Sequence, residues 1–380
     1  MPVSASLAAR IARRIRREGP LSIAAYMAIA LHDSEAGYYA RRDPFGAAGD
    51  FVTAPEISQI FGELIGACLI DFWLHIGRPD PVILAELGPG RGTLIADLLR
   101  AARAVPEFRR ALRLNLVETS PVLRDEQQRR LAPAAPEIVP HFADGIDALP
   151  DGPLLLVANE FLDALPIRQL VRSRGFWAER FVTLDDGAGP GSERLVFVEG
   201  PESPALALLV PPGLRAAPPG TLVEICPAAA ALATLLSDRL ARRRGMALFI
   251  DYGYFPSMPG ATLAAVRRHQ GTAILDAPGE ADISAHVDFA AFADAADAAG
   301  AASHGPVPQR DFLLALGGEA RLAALSRRAN PAQLAALKSG FARLIDPAQM
   351  GNLFKVLALT SPGLKPPAGL ARHRVPAQDQ

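Results

Sequence analysis

Apolar and polar positions along the chain change their period near residue 80. Before it, residues 5 to 17 and 21 to 31 repeat at helical spacing, and "PEISQIFGELIGACLIDFWLHIG" (55 to 77) reads as one long helix opened by Pro55 and Glu56, in the manner of helix N-termini. After it come short apolar runs bounded by turn residues: "PVILAEL" (81 to 87), "LRLNLVET" (112 to 119), "PLLLVAN" (153 to 159) and "GMALFIDYG" (245 to 253). Helical stretches such as "TLIADLLRAAR" and "SPVLRDEQQRRL" separate several of them. Strands alternating with helices predict an α/β fold, a mainly parallel sheet with helices on both faces.

Three departures from that alternation set the expected organisation. "IRQLVRSRGFWAERFVTLDDG" and "ERLVFVEG" alternate apolar and polar residues, which predicts an antiparallel strand insertion over about 167–220. Beyond residue 254 the pattern is irregular, then helical from about 287 to 344, with "LFKVLAL" (353 to 359) as a last strand. The expected parts are a helical N-terminal region over 1–80 that contributes to the cofactor site, a core over 81–360, and a loose tail over 361–380, whose apolar content is too low to pack.

A local feature then suggests chemistry. In "LAELGPGRGTL" an apolar run meets Glu86, Gly88, Gly90 and Gly92 before a helix starting near Thr93. Glycines let the backbone turn sharply and let a ligand approach the main chain. The dinucleotide spacing G-x-G-x-x-G is not met, and a carboxylate at Glu86 would repel a pyrophosphate. Glu-x-Gly-x-Gly-x-Gly suits S-adenosylmethionine, which carries an ammonium and a sulfonium and no phosphate. The next strand ends in Glu118, placed to accept hydrogen bonds from ribose hydroxyls or to cap the helix after Ser120. Asp144, in "HFADGIDALP", either reaches the adenine amino group or is a surface-turn acid.

The run "LLLVAN" stops at Asn159, Glu160 and Asp163. Spaced three apart on a helical turn, Glu160 and Asp163 share one side, and strand carboxyl ends are where such sheets bind ligands. Asn159 is expected to begin that turn, as an N-cap, as an amide that orients a methyl acceptor, or as both. Tyr252 and Tyr254 in "DYGYF" either line the acceptor mouth or pack. His286 and Asp288 in "SAHVDF" position a group near the site, or else Ser284 caps a helix with His286 in its first turn. No metal-ligand spacing is present.

These stretches resemble the MidA-like methyltransferases, a family that includes the mitochondrial complex I assembly methyltransferase. The resemblance rests on "LHDSEAGYYARRDPFGAAGDFVTAPEISQIFGELIG", "AELGPGRGTL", "LVETSPVLRDEQ", "ANEFLDALPIRQ", "FIDYGY", "LDAPGEADISAHVDF", "QRDFLLALG" and "MGNLFKVLAL", about residues 20 to 360. It implies a class I methyltransferase (Rossmann-like) fold, S-adenosylmethionine as cofactor, and, for the mitochondrial members, protein arginine methylation of a complex I subunit. It places Gly49, Asp50, Phe51 and Thr53 of "GDFVTAPE" near the cofactor beside Glu86, Gly88, Gly90 and Glu118. A small-molecule methyltransferase and a non-catalytic assembly factor that keeps the cofactor fold are the alternatives. The expected partner is a protein substrate, with a homodimer compatible.

Charge and composition narrow the setting. With 39 basic and 40 acidic residues the chain has no net attraction for nucleic acid or anionic membrane, and no apolar run approaches the roughly 20 residues of a membrane span. Cys68 and Cys226 sit among apolar neighbours and read as buried thiols of a reducing compartment. Five arginines precede the first acid, Glu18, as in an organelle transit peptide, but the stretch also reads as an ordinary amphipathic helix. The expected location is cytoplasmic.

Overall fold

The computed structural model describes residues 6–41, 53–185, 187 and 194–370. The chain forms two compact units that interleave in sequence. One comprises the described residues of Met1–Phe51, Asp163–Ala231 and Tyr254–Ala291, the other those of Val52–Leu162, Leu232–Gly253 and Phe292–Gln380. The expected boundary at residue 80 is therefore corrected. The N-terminal helices divide between the units, because each packs its apolar face on a different sheet.

The larger unit holds a sheet in the order Ala302–Pro308, Phe354–Thr360, Gly245–Tyr254, Leu154–Asn159, Val82–Leu87, Leu112–Val117, His141–Ala143. The last five run parallel and the first two antiparallel to their neighbours. Every residue of Val82–Leu87 and Leu154–Asn159 is buried, as expected of strands covered on both faces. Their core packs Leu84, Leu155 and Leu248 with Leu64, Trp73, Leu98 and Phe108. From Val82–Leu87 the chain adds strands first to one side and then to the other. That reversal puts a ligand crevice at the carboxyl ends of Val82–Leu87 and Leu154–Asn159.

The other unit is antiparallel. Strands Leu21–Ser22, Trp177–Leu184, Arg168–Arg172 and Leu222–Ile225 follow one another across a sheet, with Leu195–Ser203 also on Trp177–Leu184. A three-stranded sheet of Gln270–Thr272, Ala264–Arg267 and Asp282–Ser284 replaces the irregular stretch expected after residue 254. Helices Leu7–Glu18 and Ile23–His32 supply Ile11, Ile15, Tyr26 and Met27 to its core.

Three further expectations change. The helix predicted over 55–77 is broken at Ser58, whose extended backbone separates Ala54–Ile57 from Gln59–His75 and whose hydroxyl accepts from the Ile60 N–H at 3.3 Å. The helical stretch 287–344 contains a strand, Ala302–Pro308, between helices Phe289–Ala298 and Gln309–Ala315; its Gly305 and Pro306 hid the alternation. Residues 361–370 are not loose: Leu370 is 3% exposed, and the Cys68 thiol reaches the Ala368 carbonyl at 3.5 Å. Cys68 is buried and Cys226 half-buried, both as free thiols.

Candidate active site

The glycine turn leaves the Val82–Leu87 strand at the crevice. Gly88, Gly90 and Gly92 have φ of 60°, 51° and 77°, the left-handed region that side chains avoid. The turn is closed by the Gly88 N–H to Val117 O at 3.1 Å and the Gly92 N–H to Pro89 O at 2.7 Å, and helix Thr93–Ala101 follows. A β-carbon placed on Gly88 would stand 3.0 Å from the ring of Phe161. Gln127, fully buried on helix Pro121–Ala134, donates to Gly90 O at 2.6 Å and to Glu118 Oε2 at 3.3 Å, tying the turn to the acid of the next strand.

The acids differ in their surroundings. Glu86 is 3% exposed, its Oε2 has no hydrogen-bond partner among the described residues, and burial pushes its carboxyl up to about 8. Burial also raises Glu118, against the Ser120 N–H at 2.8 Å and Gln127. Ser120 itself caps the helix through the Leu123 N–H, so Glu118 is not the cap. Asp144 is corrected to the surface reading: its side chain is 87% exposed and paired with Arg124 at 2.5 Å, because the short strand His141–Ala143 ends at the edge of the sheet.

Of the "GDFVTAPE" residues, Thr53 is buried at the N-terminus of helix Ala54–Ile57, while Gly49, Asp50 and Phe51 lie outside the described residues. Glu56 of that helix accepts the Thr93 hydroxyl, to which Arg130 Nη1 also donates at 2.7 Å. Helix Ala54–Ile57 is thus anchored to the helix that opens from the glycine turn.

The chain after Asn159 forms no helix. Glu160 has a φ of 50°, its N–H donates to Ile250 O at 2.9 Å, and its Oε1 accepts from the Ala54 N–H and the Asn159 amide, both at 3.1 Å. Asp251, 1% exposed, accepts the Phe161 and Leu162 N–H groups on Oδ2 at 3.1 and 2.9 Å and the Tyr252 N–H on Oδ1 at 2.9 Å. A carboxylate from another strand therefore takes the donors that a helix N-terminus would present. The expectation that Glu160 and Asp163 share a helical turn is overturned. Glu160 spends its Oε1 on holding the turn, and Asp163 opens a segment of the antiparallel unit. There Asp163 is buried, and its carbonyl accepts the Ala285 N–H at 3.0 Å. Asn159 is buried with its Oδ1 unpartnered among the described residues.

The remaining candidates make contacts of several kinds. Tyr252 meets Phe354 edge-on, with ring centres 5.5 Å apart. Burial, then Asp288 and Glu224, raise the Tyr254 hydroxyl. Helix Phe289–Ala298 is capped by Asp288, whose Oδ1 accepts the Ala291 N–H at 3.0 Å and the Ser257 hydroxyl at 2.9 Å. Ser284 is therefore no cap and His286 lies before the helix, its N–H donating to Thr262 Oγ1 at 2.8 Å. Among the described residues no group of His, Cys, Asp and Glu could hold a metal ion, and no helix is long and apolar enough to cross a membrane. Sequence reasoning missed Gln127, Phe161 and Asp251. Only Asp251, an acid closing a fully apolar run in "LFIDYG", carried a signal that could have found it.

The strands bearing Glu86 and Asn159 are parallel neighbours, with Leu87 opposite Ala158. Both unpartnered atoms are acceptors, Glu86 Oε2 and Asn159 Oδ1. Buried acceptors of this kind favour ligands that bring N–H donors or positive charge over a phosphate, and at Glu86 the ammonium of S-adenosylmethionine is such a group.

Comparison with known proteins agrees. A family model described as S-adenosyl-L-methionine-dependent methyltransferase matches residues 64–307. The mitochondrial protein arginine methyltransferase NDUFAF7 homolog of Drosophila melanogaster is 38% identical over 378 residues, covering 93% of this chain and 84% of that protein. Mitochondrial NDUFAF7 of Homo sapiens is 34% identical, covering 91% and 81%. A likely methyl transferase from Burkholderia thailandensis, solved with S-adenosyl-homocysteine, superposes with a TM-score of 0.82 at 31% identity, covering 96% of this chain and 93% of its own. The expected cytoplasmic location, with mitochondrial targeting set aside, does not stand, because these curated relatives are mitochondrial proteins. The class I methyltransferase fold and the cofactor expected from the glycine turn both hold, and the chain belongs to the MidA-like family of S-adenosyl-L-methionine-dependent methyltransferases.

Proposed function

We propose that the methyl acceptor is an arginine side chain of a protein, with a subunit of respiratory complex I as the first substrate to test. The observation that carries this reading is Asn159 Oδ1, a buried acceptor without a donor among the described residues, beside the strand of the cofactor acid Glu86. A guanidinium has five N–H donors and no acceptor, so it satisfies this oxygen as an ionised carboxylate would not. The names of the curated relatives, protein arginine methyltransferases, support the same acceptor.

The cofactor supplies an electrophilic methyl group on a sulfonium. Glu86, Gly88, Gly90 and Glu118 would hold it, with Thr53 and, by the resemblance, Gly49, Asp50 and Phe51. Asn159 fixes the orientation of one guanidinium nitrogen, and placement of this kind supplies much of the rate of an in-line displacement. Glu160 acts by holding the turn that carries Asn159. Because a guanidinium is protonated below a pKa of about 12, the reaction also needs a carboxylate base to accept its proton. Incubation with methyl-labelled cofactor and a lysate of the source organism tests the reading. Label on protein arginine is expected; label confined to small molecules, or binding without transfer, would overturn it.

A further inference from the structure

The ring of Phe161 covers the first glycine of the cofactor turn although the two residues belong to different strand ends. Its Cδ2 stands 3.0 Å from the place where any side chain at position 88 would begin, with Cε2 at 3.7 Å. Phe161 is half-buried just beyond the carboxyl end of the Leu154–Asn159 strand. Nothing in local sequence would hold it there. Glu160 before it has a φ of 50°, a conformation unfavourable for a side-chain-bearing residue. Asp251 compensates by accepting the N–H groups of both Phe161 and Leu162 on one oxygen, while Glu160 Oε1 ties Asn159 to Ala54. An aromatic ring is thus held against the glycine turn that follows the Val82–Leu87 strand.

We propose that Phe161 is a wall of the cofactor site that favours the positively charged sulfonium of S-adenosylmethionine over the neutral thioether of S-adenosylhomocysteine, and that Asp251 is the positioning residue that holds the ring there. An aromatic face attracts a cation through its quadrupole, and more strongly where water is excluded. Substrate and product share the same ammonium, carboxylate, ribose and adenine. Contacts from Glu86 and Glu118 therefore act on both alike, and only a group that senses the charge on sulfur separates them. The consequence for the enzyme is easier release of the demethylated product.

Calorimetric titration of the full chain with each ligand tests the proposal without turnover. Phe161→Leu should lower the ratio of S-adenosylmethionine to S-adenosylhomocysteine affinity by roughly 3- to 30-fold, and Phe161→Tyr, which keeps the ring, should preserve it. Asp251→Asn and Asp251→Ser should lower the same ratio in whichever of them folds, as judged by thermal melting. An unchanged ratio in Phe161→Leu, even with both affinities weakened, would mean that the ring only packs and would overturn the proposal. A lower melting temperature with an unchanged ratio in the Asp251 variants would remove Asp251 as the positioning residue.

Discussion

Glu86 and Glu224 are both buried glutamates on strands, one in each unit, and they are opposites in what surrounds them. Glu224, 4% exposed, accepts from the Gln169 amide at 2.8 Å, the Thr262 N–H at 2.9 Å, the Leu263 N–H at 3.0 Å and the Thr262 hydroxyl. Glu86 has an oxygen with no partner among the described residues and a carboxyl raised to about 8. A saturated buried carboxylate knits strands together. An unsaturated one costs stability that only a ligand recovers. Strand direction explains the difference. In the antiparallel sheet neighbouring strands and loops deliver donors to the middle of a strand, whereas parallel strands bring their carboxyl ends to one edge, where acceptors gather with no strand beyond to satisfy them.

The comparison is broken most directly at Glu224. Glu224→Ala leaves four donors unmatched and should lower the unfolding free energy by about 3–5 kcal/mol in a denaturant melt. A loss equally large in Glu86→Ala would show that both acids are structural. Next in size, Gly88→Val should weaken S-adenosylmethionine binding by roughly 100-fold or more in calorimetry, since a branched side chain at φ 60° is strained and also meets Phe161. Retained affinity would remove the turn from the site.

A third test uses pH. The ordinary value of 4.5 for Glu86 is raised to about 8 on folding, so across that window the folded chain keeps a proton that the unfolded chain has released. This group should therefore reduce stability by roughly 1.4 kcal/mol per pH unit as pH rises from 4.5, with no further loss above about 8. Glu86→Gln should remove that part of the slope in melts of the ligand-free chain. Affinity for the cationic cofactor should rise as pH approaches 8 in the wild type and not in Glu86→Gln. The smallest effect is expected at Asn159: Asn159→Ala should lower methyl transfer by about 10-fold while leaving cofactor affinity within about twofold, as loss of one acceptor hydrogen bond implies. Equal loss in binding would place Asn159 on the cofactor instead of the acceptor.

Much of the cofactor half was legible in the chain because it is encoded locally. A buried strand, glycines at the positive-φ positions and an acid at the next strand end are consecutive features, and Glu86, Gly88, Gly90 and Glu118 stand where that order put them. The turn after Asn159 misled for the opposite reason. Asn, Glu and Asp in succession are good helix starters, but Asp251, far along the chain, takes the Phe161 and Leu162 N–H groups, and no helix forms. The extended backbone at Ser58 and the packing of Leu370 in the tail were hidden in the same way, since each depends on what arrives from elsewhere.

By itself the sequence determined the α/β class, the glycine turn, the preference for a cationic cofactor over a phosphate and the antiparallel insertion, all carried by periodicity and by backbone conformations open only to glycine. Tertiary structure alone decided which buried acids are satisfied, which unit Asp163 joins and why Phe161 lies on Gly88. Those outcomes depend on donors and rings supplied by distant strands, and a one-dimensional pattern holds no record of which distant residue will come within hydrogen-bonding reach.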